Sequence, residues 1–85
     1  MREFRDEAGR MWRATAHEEH TPRHHGRWYL VFQPVDDPSN VLEVTEVRWQ
    51  TAITADRTIR TLSEFELRRR LGLARARSGD GVRAG

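Results

Sequence analysis

Apolar and polar side chains alternate along the first two-thirds of this chain, and the period changes in the last third. Residues 4–12 read as two short strands joined by a turn, because Asp6 and Gly9 bracket it and Gly9 can take a positive φ. The second strand is expected over 10–17, with Trp12, Ala14 and Ala16 on one face and Met11, Arg13 and Thr15 on the other. Residues 17–26 are polar, contain Thr21-Pro22 and end on Gly26, so a loop is expected there. The next strand, 27–33, is the clearest: Trp28, Leu30 and Phe32 share one face, Tyr29 and Val31 the other, and Pro34 closes it. A strand apolar on both faces is expected at the centre of a sheet, with something other than solvent over Tyr29 and Val31.

Residues 35–40 form a turn cluster, Asp36-Asp37-Pro38-Ser39-Asn40 at its heart, and 41–49 resume an extended pattern whose phase slips midway. Leu42 and Val44 are in phase with each other, Val47 and Trp49 in the opposite phase, so a bulge near Thr45-Glu46 is needed for all four to face inward. The stretch 50–62 stays open: Thr51, Ile53, Thr58 and Ile59 favour extended structure, while Ala55-Asp56 suits a turn or a helix start. Ser63-Glu64-Phe65-Glu66 is a capping box, and the helix it starts is expected to reach Arg75. Phe65, Leu67, Leu71 and Ala74 form its inward stripe, with Arg68, Arg69, Arg70 and Arg75 mostly outside. Residues 78–85, rich in glycine and with no large apolar anchor beyond Val82, read as a disordered tail after a single domain over 1–77. The expected fold is α+β, a four-stranded, mainly antiparallel sheet with one C-terminal helix packed on it through Phe65, Leu67 and Leu71; a small closed β-barrel plus helix is the alternative.

Composition narrows the classes. A chain of 85 residues, 36% of them hydrophobic, has a thin core, which the seven aromatics from Phe4 to Phe65 must largely supply. Without cysteine there is no disulfide, no thiolate ligand and no cysteine nucleophile. The first residues are charged rather than apolar, and the longest apolar run, 28–32, is far short of the ~20 residues a spanning helix needs. A cytoplasmic location is therefore expected, with any membrane contact peripheral. All fifteen basic residues are arginine, unevenly placed: residues 1–56 hold seven against ten Asp and Glu, and residues 57–85 hold eight against three.

Four features are candidates for chemistry. His17, His20, His24 and His25 lie within nine residues beside Glu18 and Glu19, ligand types that zinc or nickel accepts, but Pro22 breaks the one helical pair, His20/His24. A solvated loop that titrates near neutral pH is the plainer reading. Ser39, Ser63 and Ser78 fall in a turn, a cap and a tail, and the adjacent acids are solvated pairs, so no enzyme and no cofactor is expected. The arginines Arg57, Arg60, Arg68, Arg69, Arg70, Arg75 and Arg77 suit phosphates or carboxylates, which makes nucleic acid a candidate partner, with Trp28, Tyr29 and Phe32 as stacking groups. The last candidate is a docking patch: one sheet and one helix leave Tyr29, Val31 and Met11 partly uncovered, and the basic C-terminal third would orient a larger protein partner or anionic headgroups against it. Docking on a larger assembly is the leading expectation.

The order Phe4-Arg5-Asp6-x-x-Gly9-x-x-Trp12, Leu30-Val31-Phe32, a strand into Trp49, and Leu62-Ser63-x-x-Glu66-Leu67 resembles short bacterial proteins of high-GC lineages, Gemmatimonadota among them. That resemblance implies a hairpin, a core and a helix cap, and carries over no activity; the stretch 50–60 is longer than its pattern. The chain also looks like an extrinsic stabilising subunit of a photosynthetic reaction-centre/antenna complex from that lineage. This likeness implies a membrane-embedded partner complex and no pigment ligand of the chain's own.

Overall fold

The first hairpin closes on one carboxylate. In the computed structural model, which describes residues 1–19 and 27–77, Asp6 Oδ1 accepts the backbone N–H groups of Ala8 at 2.9 Å and Arg10 at 2.8 Å. Gly9 holds a φ of +87°, a conformation that a side chain makes costly. The turn joins β1 (Arg2–Arg5) to β2 (Met11–Glu19), paired antiparallel from Arg2 opposite Ala14 to Arg5 opposite Met11. Next come β3 (Arg27–Pro34) and β4 (Leu42–Trp49), giving an antiparallel sheet in the order β1-β2-β3-β4. The sheet is open, with β1 and β4 as its edges, so the closed-barrel alternative does not hold.

The phase slip in β4 is a bulge. Tyr29 lies opposite Arg48 while the next residue, Leu30, lies opposite Val44, so Thr45, Glu46 and Val47 bow out of the ladder. Arg48 Nε donates to the Thr45 carbonyl at 2.6 Å, tying the bow together. As a result Leu42, Val44, Val47 and Trp49 all pack against one core.

Two helices follow, where one was expected. The open stretch 50–62 contains α1 (Ala52–Thr61), and α2 spans Glu64–Arg77. Thr51 is the N-cap of α1, its hydroxyl accepting from the Thr54 N–H at 3.1 Å. Its β-branched residues weaken helix propensity only slightly, and Ala55 and Ile59, one turn apart, are fully buried; packing decides the outcome. At the other end Arg2 reaches over from β1 and donates to the carbonyls of Arg60 at 3.0 Å and Leu62 at 2.8 Å. Ser63 caps α2 through the Glu66 N–H at 3.1 Å. The reciprocal arm of the capping box gives way to ion pairs of the Glu66 carboxylate with Arg69 and Arg70.

Both helices cover the same face of the sheet. Phe4, Trp12, Ala14, Leu30, Phe32 and Val44 meet Ile59, Leu67, Leu71 and Ala74 in one core, with Phe4 edge-on to Phe32 at 5.7 Å. Phe65 is not part of it. It precedes Leu67 by two residues, about 200° around a helix, and is 75% exposed. Residues His20, His24, His25 and the expected tail 78–85 lie outside the described residues.

This packing fixes an order of mutational costs. Ile59→Ala and Leu71→Ala each lose about 2–5 kcal/mol of unfolding free energy in urea, whereas Phe65→Ala stays within about 0.5 kcal/mol of the parent. Equal costs for Ile59→Ala and Phe65→Ala would mean that α1 does not pack on the sheet.

Candidate binding surfaces

Of the patch expected on the open sheet face, two residues stay partly exposed and one does not. Val31 is fully buried there, while Tyr29 and Met11 are half-buried. Thr15 and Glu43 lie directly across from Val31, and the Tyr29 hydroxyl donates to Glu43 Oε2 at 3.0 Å. Burial first, then the bond to this carboxylate, pushes the Tyr29 hydroxyl above its ordinary value, which keeps it a proton donor. Glu3 pairs with Arg13 at 3.0 Å, Glu19 with Arg48 at 3.3 Å, and His17 lies edge-on to Tyr29 at 6.2 Å. Val31 is thus covered within the chain, between Thr15 and Glu43 on the neighbouring strands. Phe32 faces the core and is equally closed to a stacking base.

The arginines divide among different partners. On α2, Arg68 donates to the Arg5 carbonyl at 2.7 Å and to Glu64 at 3.1 Å, and Arg75 approaches Asp6 at 3.8 Å. Arg69 holds Glu66 through two bonds of 3.1 and 2.7 Å, Arg70 joins the same carboxylate at 3.0 Å, and Arg77 pairs with Glu46. The bond from Arg69 is the main cause holding the Glu66 carboxyl below its usual range. On α1, Arg60 pairs with Asp56 at 2.9 Å. Arg57 alone in this series makes no ion pair or guanidinium hydrogen bond to a described residue. A helix puts positions 68 and 75 on one flank, 70 and 77 on the other and 69 outward, so these side chains do not form one continuous phosphate-binding row.

A cluster that the sequence reading missed centres on Asp6. Besides the two turn amides, its carboxylate accepts the Trp12 indole N–H at 2.9 Å, and its side chain is only 9% exposed. The guanidinium groups of Arg10 and Arg75 lie 5.6 and 5.7 Å from the Trp12 ring. Arg10 continues to Asp36 through bonds of 3.2 and 3.0 Å. Beside the cluster is a groove of about 300 Å³ lined by Asp6, Glu7, Arg68, Leu71, Gly72 and Arg75, whose walls carry both signs of charge. Burial acts to raise the Asp6 pKa, but the bonds from Trp12, Arg10 and Ala8 and the charge of Arg75 outweigh it and hold the carboxyl below its ordinary value. The Asp-x-x-Gly spacing signals the turn; nothing in it signals the indole or Arg75, which arrive with the folded sheet and helix.

The helix layer has a different character. Its exposed large apolar residues are Ile53 at 72%, Phe65 at 75% and Leu73 at 52%. Residues 52–77 hold seven arginines against three acids, and residues 1–51 hold seven against nine. The molecule is therefore two-sided, with a basic, apolar-studded helix layer on a sheet of mildly acidic balance. Among the described residues no group of three or more His, Asp or Glu side chains is placed to hold a metal ion, and no helix is long and apolar enough to cross a membrane. The chain matches no protein-family model, no curated protein and no solved structure.

Asp6 should set part of the acid sensitivity. Because its folded pKa is lowered, its stabilisation is complete above the ordinary carboxylate range and is lost as pH falls through the folded value. Asp6→Asn is expected to cost about 1–3 kcal/mol at neutral pH, a gap that narrows below pH ~4. Urea unfolding of parent and variant across that range measures both.

Proposed function

We propose that this protein is a non-catalytic accessory module that docks on an acidic surface of a larger protein assembly, using its helix layer rather than its open sheet face. The observation that carries the reading is the coincidence, on one layer, of the arginine excess and three of the five exposed large apolar side chains among the described residues, Ile53, Phe65 and Leu73. Ile53, Arg57 and Arg60 lie at i, i+4 and i+7 along α1 and share a face. Ile53 supplies an apolar anchor, and Arg57 has a guanidinium uncommitted among the described residues, suited to a carboxylate on the partner. Such a mixed contact, an apolar centre with charged neighbours, is how specific protein interfaces are composed. Ser63 serves as a helix cap and Ser39 donates to Asp37, roles that support the non-catalytic reading. Peripheral attachment to a membrane-embedded complex, on its cytoplasmic side, is the setting implied by the likeness to an extrinsic photosynthetic subunit.

Nucleic acid is the alternative partner, favoured by the arginine excess alone. The pairing of Arg60, Arg68, Arg69, Arg70, Arg75 and Arg77 within the chain weighs against it, since each pair must be exchanged for a phosphate contact.

A photo-crosslinking residue at position 53, introduced in the native host, should capture a protein subunit rich in Asp and Glu at the contact, while one at position 33 on the open sheet face should not. Ile53→Asp and Arg57→Glu should each weaken binding to that subunit about tenfold or more with little change in thermal midpoint. Crosslinking to nucleic acid, with affinity that collapses as salt rises, would replace this reading by the alternative.

A further inference from the structure

The two edges of the sheet are finished differently. On β4 the bow at Thr45, Glu46 and Val47 interrupts the strand, Arg48 Nε donates to the Thr45 carbonyl at 2.6 Å, and Glu46 is held by Arg77 of α2. A bulged edge of this kind is a poor template for another strand. β1 has no such irregularity, since its register against β2 runs unbroken from Arg2 to Arg5. Just beyond it the Asp6 N–H donates to the Arg10 carbonyl at 2.9 Å, which makes these two residues a hydrogen-bonded pair. Bonded and non-bonded pairs alternate along an antiparallel ladder, so Arg2 and Phe4 also turn their main-chain groups toward β2, while Glu3 and Arg5 turn theirs outward.

Those outward groups suit a second β1. An antiparallel pairing about a two-fold axis at Phe4 sets Glu3 of each copy opposite Arg5 of the other, and each presents the N–H and C=O that a hydrogen-bonded pair exchanges. The side chains agree with this register: Glu3 and Arg5 lie on one face of the strand with opposite charge, and opposite charges directly across a ladder are favourable. The Arg5 guanidinium donates to the Gly9 carbonyl at 3.2 Å and keeps further donors, and Glu3, paired with Arg13 through Oε2, keeps its other oxygen. One main-chain group in the set is nevertheless taken. Arg68 Nε reaches from α2 and donates to the Arg5 carbonyl at 2.7 Å, while its other end holds Glu64 at 3.1 Å. That carbonyl is the acceptor the Glu3 N–H of a second copy would need, and a donor on an outward carbonyl stands on the outer side of the strand.

We propose that Arg68 is an edge guard: it closes β1 to strand addition, and without it two copies of the chain join through β1 into one continuous sheet. Its bonding sets it apart from its neighbours on α2, since Arg69, Arg70 and Arg77 turn to carboxylates whereas Arg68 gives its Nε to a main-chain oxygen on an edge strand. Each edge thus has its own protection, a bulge on β4 and an arginine from the helix layer on β1. The inference uses β1 and Arg68 and does not rest on the function proposed for α1.

Sedimentation velocity of the full chain from low micromolar to millimolar concentration tests it. Arg68→Ala should form a dimer at least about tenfold more tightly than the parent chain, while Arg68→Lys, which keeps a donor for the carbonyl, should behave as the parent does. Arg5→Glu added to Arg68→Ala sets like charges opposite each other in this register and should return the chain to parent behaviour. Ile59→Val separates guarding from loss of stability: it loosens the core, leaves the guard in place and should associate no more than the parent. Equal association of Arg68→Ala and the parent, or of Arg68→Ala and Ile59→Val, would overturn the proposal, as would a dimer that Arg5→Glu leaves intact.

Discussion

A four-stranded sheet with one apolar face cannot stand in water, and the covering of that face is the constraint on which the rest of this structure depends. The face presents Phe4, Trp12, Ala14, Leu30, Phe32 and Val44, and two short helices bring Ile59, Leu67, Leu71 and Ala74 to meet it. Each helix is too short to persist alone, so burial rather than propensity holds it. This requirement explains why a stretch as rich in threonine and isoleucine as 51–61 is helical, and why Arg2 is drawn across from β1 to satisfy the carbonyls at the end of α1.

Covering one face with both helices leaves the other face to manage itself. Val31 is fully buried there between Thr15 and Glu43 on the neighbouring strands, and ion pairs run across the strands. The most exposed of the large apolar residues described within the two layers, Ile53, Phe65 and Leu73, lie on the helix layer, along with most of the arginine excess, while Met1 and Val41 are exposed at the ends of strands.

The Asp6 cluster joins these parts. One carboxylate orders the turn, receives the indole N–H of a core tryptophan and attracts an arginine from the last turns of α2, so the hairpin, the core and the helix layer share one polar node. Among the described residues no polar or charged residue is fully buried in the core, and a nearly buried carboxylate that accepts three hydrogen bonds holds one arrangement against its alternatives.

Much of the fold was legible in the chain because its signals are local. Period-two alternation placed β2 and β3, the phase slip between Val44 and Val47 located the bulge, Gly9 marked the turn and Ser63 the start of α2. The open segment 50–62 was not legible, since its β-branched residues favour extended structure locally and become helical only against the sheet. The direction of Phe65 was misjudged, although helical geometry alone separates it from Leu67. The candidate surface moved for a related reason: exposure belongs to the assembled layers, and neither the burial of Val31 nor the pairing of each arginine is encoded in any short stretch. What the sequence by itself determined was the alternation, the turns and the charge balance, all set by neighbours along the chain; only the tertiary structure decided which face was covered, which arginines were committed and which apolar side chains were left exposed, because those follow from contacts between residues far apart in sequence.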